Sequence, residues 1–189
     1  WSNLAIKEAK LFGDVKLIYD GKASNYSVIG DVAEWPIDAD ASYAYVCSNN
    51  TIEGTEYRSF PDTGSVPLIA DMSSDIMSYP VDVRRFAMIF AGAQKNLGPA
   101  GVTIAVMRKD LAARAGAKVP TMLKYSTHID KESLFNTPPC IAIYMVRLVT
   151  DWLIKLGGVP AIQKINEAKS DALYSAIDAS EFYRGTAEP

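Results

Sequence analysis

Histidine occurs once and cysteine only twice in this chain of 189 residues. That scarcity leaves no metal-ligand spacing and no disulfide framework. The two thiols, Cys47 and Cys140, both sit in apolar settings and read as buried free cysteines of a reducing cytosol. Lys/Arg runs are missing and the formal net charge is −3, so neither nucleic acid nor an anionic membrane is indicated as a partner. There is no signal peptide pattern. The most apolar helical stretch, Cys140 to Leu156, carries Arg147, Asp151 and Lys155, which argues against a membrane span. A soluble, cytoplasmic protein is expected. No dinucleotide fingerprint, phosphate-loop motif, internal repeat or low-complexity segment occurs either.

What is present is core material: 49% of residues are hydrophobic, enough for one large domain or a domain with part of a second. The chain opens on Trp1 inside helix-forming sequence and ends at Glu188-Pro189 with no terminating element, so it is expected to be an excerpt of a longer protein. Residues 2–12 read as a short amphipathic helix on Leu4, Glu8, Leu11 and Phe12, stopped by Gly13. Strand candidates follow at Val15–Tyr19, Tyr26–Ile29, Tyr43–Cys47, Val66–Ala70, Phe86–Phe90 and Val102–Met107. A short helix is expected over Leu111–Ala117 and loop over Lys118–Leu134. Two long helices close the chain. One has a buried stripe of Ile141, Met145, Leu148, Trp152 and Leu156 and ends at Gly157-Gly158. The other runs from Pro160 to about Ile177, with Ile162, Ile165, Leu173 and Ile177 on one face. Short apolar strands interleaved with helices indicate an α/β fold, a mostly parallel sheet flanked by helices, with an antiparallel member possible in the Phe86–Met107 pair.

Chemistry concentrates in three places. Lys95 sits in Ala91-Gly92-Ala93-Gln94-Lys95-Asn96-Leu97-Gly98-Pro99-Ala100-Gly101, between two apolar runs. Small neighbours let backbone approach a ligand closely and leave a lysine amine partly desolvated, as a Schiff-base lysine requires. On this segment alone, a surface lysine on a tight hairpin fits equally well. Asp71 ends an apolar strand 24 positions before Lys95, and is either a helix cap or a buried carboxylate awaiting a cation. The loop Ser48-Asn49-Asn50-Thr51-Ile52-Glu53-Gly54 follows a strand, where α/β folds place ligands, though a plain turn also fits. Lysine, strand-end acid and polar loop together are the parts needed to hold pyridoxal phosphate, whose ring nitrogen an aspartate would keep protonated. His128 has no partner acid, serine or cysteine close in sequence and reads as a solvated loop residue.

Four segments resemble the phosphoserine aminotransferase family in order and approximate spacing: Ser48–Gly54, Ala70-Asp71-Met72-Ser73-Ser74, Ala91–Gly101 and Phe135-Asn136-Thr137-Pro138-Pro139. Ala5–Lys10 and Gly157-Gly158-Val159 are similar too, and the resemblance spans essentially the whole chain. It implies an incomplete large domain of a fold-type I pyridoxal-phosphate enzyme over 1–156, with 157–189 leading toward a small C-terminal domain. It makes Lys95 the Schiff-base lysine and proton shuttle. Asp71 becomes the partner of the pyridine nitrogen, and Trp1 the aromatic stacked on the ring. Thr51 would hydrogen-bond on the phenolic-oxygen side, and Gln94 would contact the phosphate. Asn136 and Thr137 would reach the cofactor phosphate of a neighbouring subunit, which implies a homodimer with shared active sites.

The implied reaction moves an amino group from glutamate to 3-phosphohydroxypyruvate, giving O-phosphoserine and 2-oxoglutarate for serine biosynthesis. In some bacteria a related phosphorylated keto acid of pyridoxine biosynthesis is also used. Members of that family are about twice this length, so most substrate-binding positions have no counterpart here and the piece alone is expected to be inactive. Alternatives are another aminotransferase of the same fold, such as an alanine–glyoxylate type, a cysteine desulfurase-like lyase, or a non-catalytic α/β ligand-binding module. A desulfurase needs a cysteine on a mobile loop, and neither Cys47 nor Cys140 is so placed.

Overall fold

The computed structural model describes residues 1–116 and 118–188. Its centre is a four-stranded sheet built from β1 (Ala44–Cys47), β4 (Leu68–Asp71), β5 (Met88–Gly92) and β6 (Thr103–Met107), in the spatial order β1-β4-β5-β6. The first three strands are mutually parallel and β6 is antiparallel to β5. A two-stranded hairpin, β2 (Asn49–Asn50) with β3 (Thr55–Glu56), occupies the polar loop after β1. The α/β reading therefore holds, including the antiparallel member. The helices, however, do not alternate with the parallel strands. The β1-to-β4 and β4-to-β5 connections are hairpin, turns and a short 3-10 segment.

Register decides which side chains face the core. Val46, Ala70 and Ile89 are aligned across three strands, and with Leu68 and Ala91 they line one buried face. Tyr57, Phe60, Met72, Ile76, Phe86 and Leu97 pack against that face from the connections. Because strand side chains alternate, Cys47, Asp71 and Phe90, which are also aligned, point to the opposite face. A slip of one residue would bury the aspartate in the core.

Two strand candidates fail. Val15–Tyr19 and Tyr26–Ile29 are irregular backbone, since the β-forming composition finds no ladder partner there. Tyr19 instead stacks on Trp35 at 5.6 Å and donates its hydroxyl to the Val28 carbonyl at 2.9 Å. The N-terminal helix α1 is Ser2–Ala9, and its expected stripe residues Leu4, Leu11 and Phe12 are exposed. After β6 comes α2 (Lys109–Ala112), shorter than expected; Ala117 lies outside the described residues. The Lys118–Leu134 stretch is not all loop, because α3 (Tyr125–Asp130) forms within it. His128 is on that helix, with Nε2 3.0 Å from the Met122 carbonyl oxygen.

The long helices are α4 (Cys140–Leu156) and α5 (Val159–Asp178), separated by Gly157, whose φ of 110° supplies the left-handed cap. The stripe expected on α4 is largely wrong. Ile141 is 77% exposed, and Met145, Leu148 and Trp152 are exposed too. The face that packs carries Ala142, Val146 and Leu153 instead. That face lies opposite the charged row Arg147, Asp151 and Lys155, and the expected stripe lies too far round the helix from it. Val146 sits against Gly98 so tightly that a β-carbon there would lie 3.1 Å from Cγ2. On α5, Ile162 and Ile177 are half-buried but Ile165 and Leu173 are exposed. Cys47 is buried as expected, while Cys140, at the first turn of α4, is exposed. Among the described residues no helix is long and apolar enough to cross a membrane.

Candidate active site

Asp71 closes β4 and is anchored from its own chain. The Ser73 hydroxyl and backbone N–H both donate to Oδ1, at 2.6 and 2.9 Å. The Ser73 Oγ in turn accepts from the Gly92 N–H of β5 at 3.0 Å. One serine thus ties the carboxylate to the strand that leads to Lys95. Oδ2 is not engaged by Ser73, so one carboxylate oxygen remains to receive a proton-bearing group. The helix-cap role allowed by the sequence does not fit, because the carboxylate caps only a local turn.

Lys95 lies on the turn between β5 and β6. That turn is pinned by Ala93 N–H to Val102 O at 2.9 Å, and by the N–H groups of Leu97 and Gly98 both donating to Ala93 O. Leu97, 1% exposed, plugs the core directly beneath. The Lys95 amine donates to Thr51 Oγ1 at 3.4 Å and lies 5.5 Å from the centroid of the Trp1 ring. The side chain is exposed, not desolvated as its small neighbours suggested, because the turn projects from the sheet edge. Gln94 folds back over Gly92, whose missing β-carbon would otherwise sit 2.8 Å from Oε1.

These groups meet in one cleft of about 140 Å³ lined by Trp1, Cys47, Asn49, Asp71, Ser73, Ser74, Gln94 and Lys95. Thr51 reaches it through the Lys95 amine. Asn136 and Thr137 do not line it. They lie on an exposed segment, where Asn136 Nδ2 contacts Met122 Sδ at 3.5 Å. A larger hollow of about 240 Å³ lies at the other end of the strands, lined by Arg84, Arg85 and Arg108. Those arginines are already engaged by Asp82, the Phe60 carbonyl and Asp110, and no candidate residue is near them. The smaller cleft holds the chemistry.

Sequence reasoning missed Ser73, Ser74, Asn49 and Cys47 as lining residues. A signal existed in the polar triplet that follows Asp71 after a buried strand. Burial and the Asp71 charge push the Cys47 thiol up to about 11, so it is a neutral wall and not a nucleophile.

Comparison with known proteins bears on this arrangement. The family model described as aminotransferase class V matches residues 1–188. The chain belongs to the class-V aminotransferase family. It is 52% identical over 190 residues to a phosphoserine aminotransferase of Lysinibacillus sphaericus, covering all of this chain and 52% of that protein. With the phosphoserine aminotransferase of Pseudomonas aeruginosa the identity is 47%, again over all of this chain and 52% of the relative. Among solved structures, the phosphoserine aminotransferase from Bacillus circulans superposes with a TM-score of 0.96 at 48% identity, covering this chain fully and 52% of its own. A pyridoxal-phosphate-bound phosphoserine aminotransferase from Trichomonas vaginalis gives 0.91 at 33% identity, with coverage of 100% and 53%. The chain thus spans about half the length of these relatives. The aminotransferase fold accounts for the mostly parallel sheet flanked by helices.

Proposed function

We propose that the protein containing this chain is a pyridoxal-phosphate-dependent phosphoserine aminotransferase, converting 3-phosphohydroxypyruvate and glutamate to O-phosphoserine and 2-oxoglutarate. The observation that carries the reading is the convergence of the Lys95 amine, the Ser73-anchored Asp71 and the Trp1 ring on one cleft. The similarity to phosphoserine aminotransferases, over the whole of this chain and about half of theirs, supports it.

The donor set fits pyridoxal phosphate: a primary amine for an aldehyde, a carboxylate for a pyridinium N–H, an indole for a flat ring, and an amide held over a glycine for a phosphate. When bound, the cofactor supplies an aldehyde carbon and an aromatic ring able to take up the electron pair released at a substrate carbon. This chain's residues do the rest. Lys95 holds the amine that takes the proton from the substrate Cα and returns one on the same side. Asp71 keeps the ring nitrogen protonated, and its orientation comes from Ser73. Thr51 accepts from the Lys95 amine and steers it toward the mouth of the cleft. Trp1 covers one side and excludes water there. Cys47, held neutral, adds no second anion beside Asp71.

Asn136 and Thr137 are proposed to act in the partner subunit's site of a homodimer, consistent with their distance from the cleft of their own chain. A cytoplasmic location, service in pyridoxine biosynthesis and a domain division after residue 156 belong to the same proposal. The test uses the full-length protein loaded with pyridoxal phosphate and given O-phosphoserine without keto acid. Conversion of the bound cofactor's absorbance to that of the amine form, with alanine and cysteine giving none, is the expected result. Conversion by another amino acid but not by phosphoserine would keep the fold and overturn the substrate.

A further inference from the structure

Behind Asp71 lies a second carboxyl group that the reaction does not use. Asp75 is only 4% exposed and Ser48 is fully buried. Ser48 Oγ stands 2.6 Å from Asp75 Oδ1 and 3.0 Å from the main-chain carbonyl oxygen of Asp71. The other carboxyl oxygen, Asp75 Oδ2, is buried with no partner at all.

Counting protons across these contacts decides between two states. A serine hydroxyl owns one hydrogen but here touches two acceptors. If Asp75 were ionised, Ser48 would donate to Oδ1, its contact with the Asp71 carbonyl would hold no hydrogen, and a buried anionic Oδ2 would be left without a donor. That last condition is among the most costly in a protein interior. If Asp75 carries its proton on Oδ1, each hydrogen has one acceptor. The acid O–H then donates to Ser48 Oγ, and the Ser48 O–H donates to Asp71 O. Oδ2 becomes a neutral carbonyl oxygen, far cheaper to bury.

We propose that Asp75 is a protonated positioning residue at neutral pH. Its acid proton sets the direction of the chain Asp75–Ser48–Asp71 carbonyl, fixing the peptide from which the Asp71 carboxylate projects and leaving Asp71 the single anion there. The location of the proton is a property of the chain itself; its value for Asp71 rests on the reading of Asp71 as the partner of the cofactor ring. The ionisable groups around Asp75 agree. Burial pushes its carboxyl up from the usual carboxylate range and Asp71 adds to that, while the Ser48 contact, its own backbone N–H and Arg58 oppose it. Glu56 and Tyr79 on one side and Cys47 on the other lie close enough that an ionised Asp75 would raise each of them. Arg58 is diverted: it pairs with Glu56 at 2.6 Å and stacks on the Tyr79 ring at 4.5 Å. A raised native carboxyl stabilises the fold below its unfolded-state pKa, and that contribution is lost as pH rises through the native value.

The test is infrared spectroscopy on the full-length protein near neutral pH, with and without pyridoxal phosphate. A protonated-carboxyl C=O band that shifts in heavy water and vanishes in Asp75→Asn is expected. Asp75→Asn should keep cofactor affinity within about threefold, since an amide can donate to Ser48 in the same direction, whereas Asp75→Ala and Ser48→Ala should weaken it by tenfold or more. Should the asparagine variant not fold, aspartate-13C NMR of the unaltered protein replaces it, one carboxyl staying protonated through neutral pH. Absence of any protonated aspartate, or an asparagine variant as impaired as the alanine one, overturns the proposal. Neither result touches the phosphoserine test, so the two readings fail separately.

Discussion

Removing the Ser73 hydroxyl tests whether Asp71 is held by design of the sheet or merely happens to lie beside a serine. Ser73→Ala deletes a 2.6 Å bond to a half-buried carboxylate and strands the Gly92 N–H that Ser73 Oγ accepts at 3.0 Å. The first loss is about 1.5 kcal/mol, the low end for a bond to a charged group because Asp71 is only partly buried. The stranded N–H adds about 1 kcal/mol, giving a total near 2.5 kcal/mol, while the Ser73 N–H bond to Asp71 survives. Urea unfolding of the full-length protein, with Asp71→Ala and the double variant completing a cycle, isolates the pair. A coupling of about 1.5 kcal/mol between positions 71 and 73 is expected, with Ser73→Thr restoring most of the stability. A coupling below about 0.5 kcal/mol would mean the two changes are independent and would refute the anchoring argument.

Other outcomes follow from the same geometry. Lys95→Ala should abolish both the cofactor-bound absorbance and turnover, because no other lysine is among the residues lining the cleft; wild-type-like absorbance in that variant contradicts the assignment. Asp71→Asn should leave cofactor bound but raise the transamination barrier by about 3 kcal/mol, roughly a hundredfold in rate, and near-normal turnover would reduce Asp71 to a structural residue. Leu97→Ala should cost about 2–5 kcal/mol in unfolding free energy, read from denaturant melts, because the emptied site lies under a pinned turn and cannot collapse freely. Cys47 should resist iodoacetamide at pH 8, where its thiolate is scarce, and react about tenfold faster per pH unit until pH approaches about 11; mass spectrometry of labelled peptides decides.

The strands at Ala44–Cys47, Leu68–Asp71, Met88–Gly92 and Thr103–Met107 were legible because each is a short apolar run bounded by turn residues. Lys95 and Asp71 were legible because a charge at the end of such a run has few other reasons to be there. Val15–Tyr19 had the same composition and formed no strand, since pairing depends on a neighbour that local sequence does not reveal. The packed face of α4 is the one opposite its charged row, Arg147, Asp151 and Lys155, a signal obscured by the apolar residues that flank that face on both sides. Ser48 and Asp75 were invisible for a different reason. Their partners are fixed by register between strands over 20 residues apart, as Ser48 and Asp71 are, and no periodicity encodes that.

Asp71 ends β4 opposite Phe90 of β5, and Lys95 lies on the turn that begins at Ala93, directly after β5 ends. The spacing of their backbone anchors is therefore set by a hydrogen-bonded sheet, whose strands stand about 4.8 Å apart, and not by the packing of separable bodies. Hinge or shear movement in the remainder of the protein can open, close or tilt what faces this pair. It cannot separate the two backbone anchors without disturbing the ladder, and only the Lys95 side chain can swing between them. On the proposed reading, the mechanical consequence is a division of labour, with the two backbone anchors as a stationary frame and the adjustable coordinates left to the lysine side chain, the substrate and the parts that carry it in.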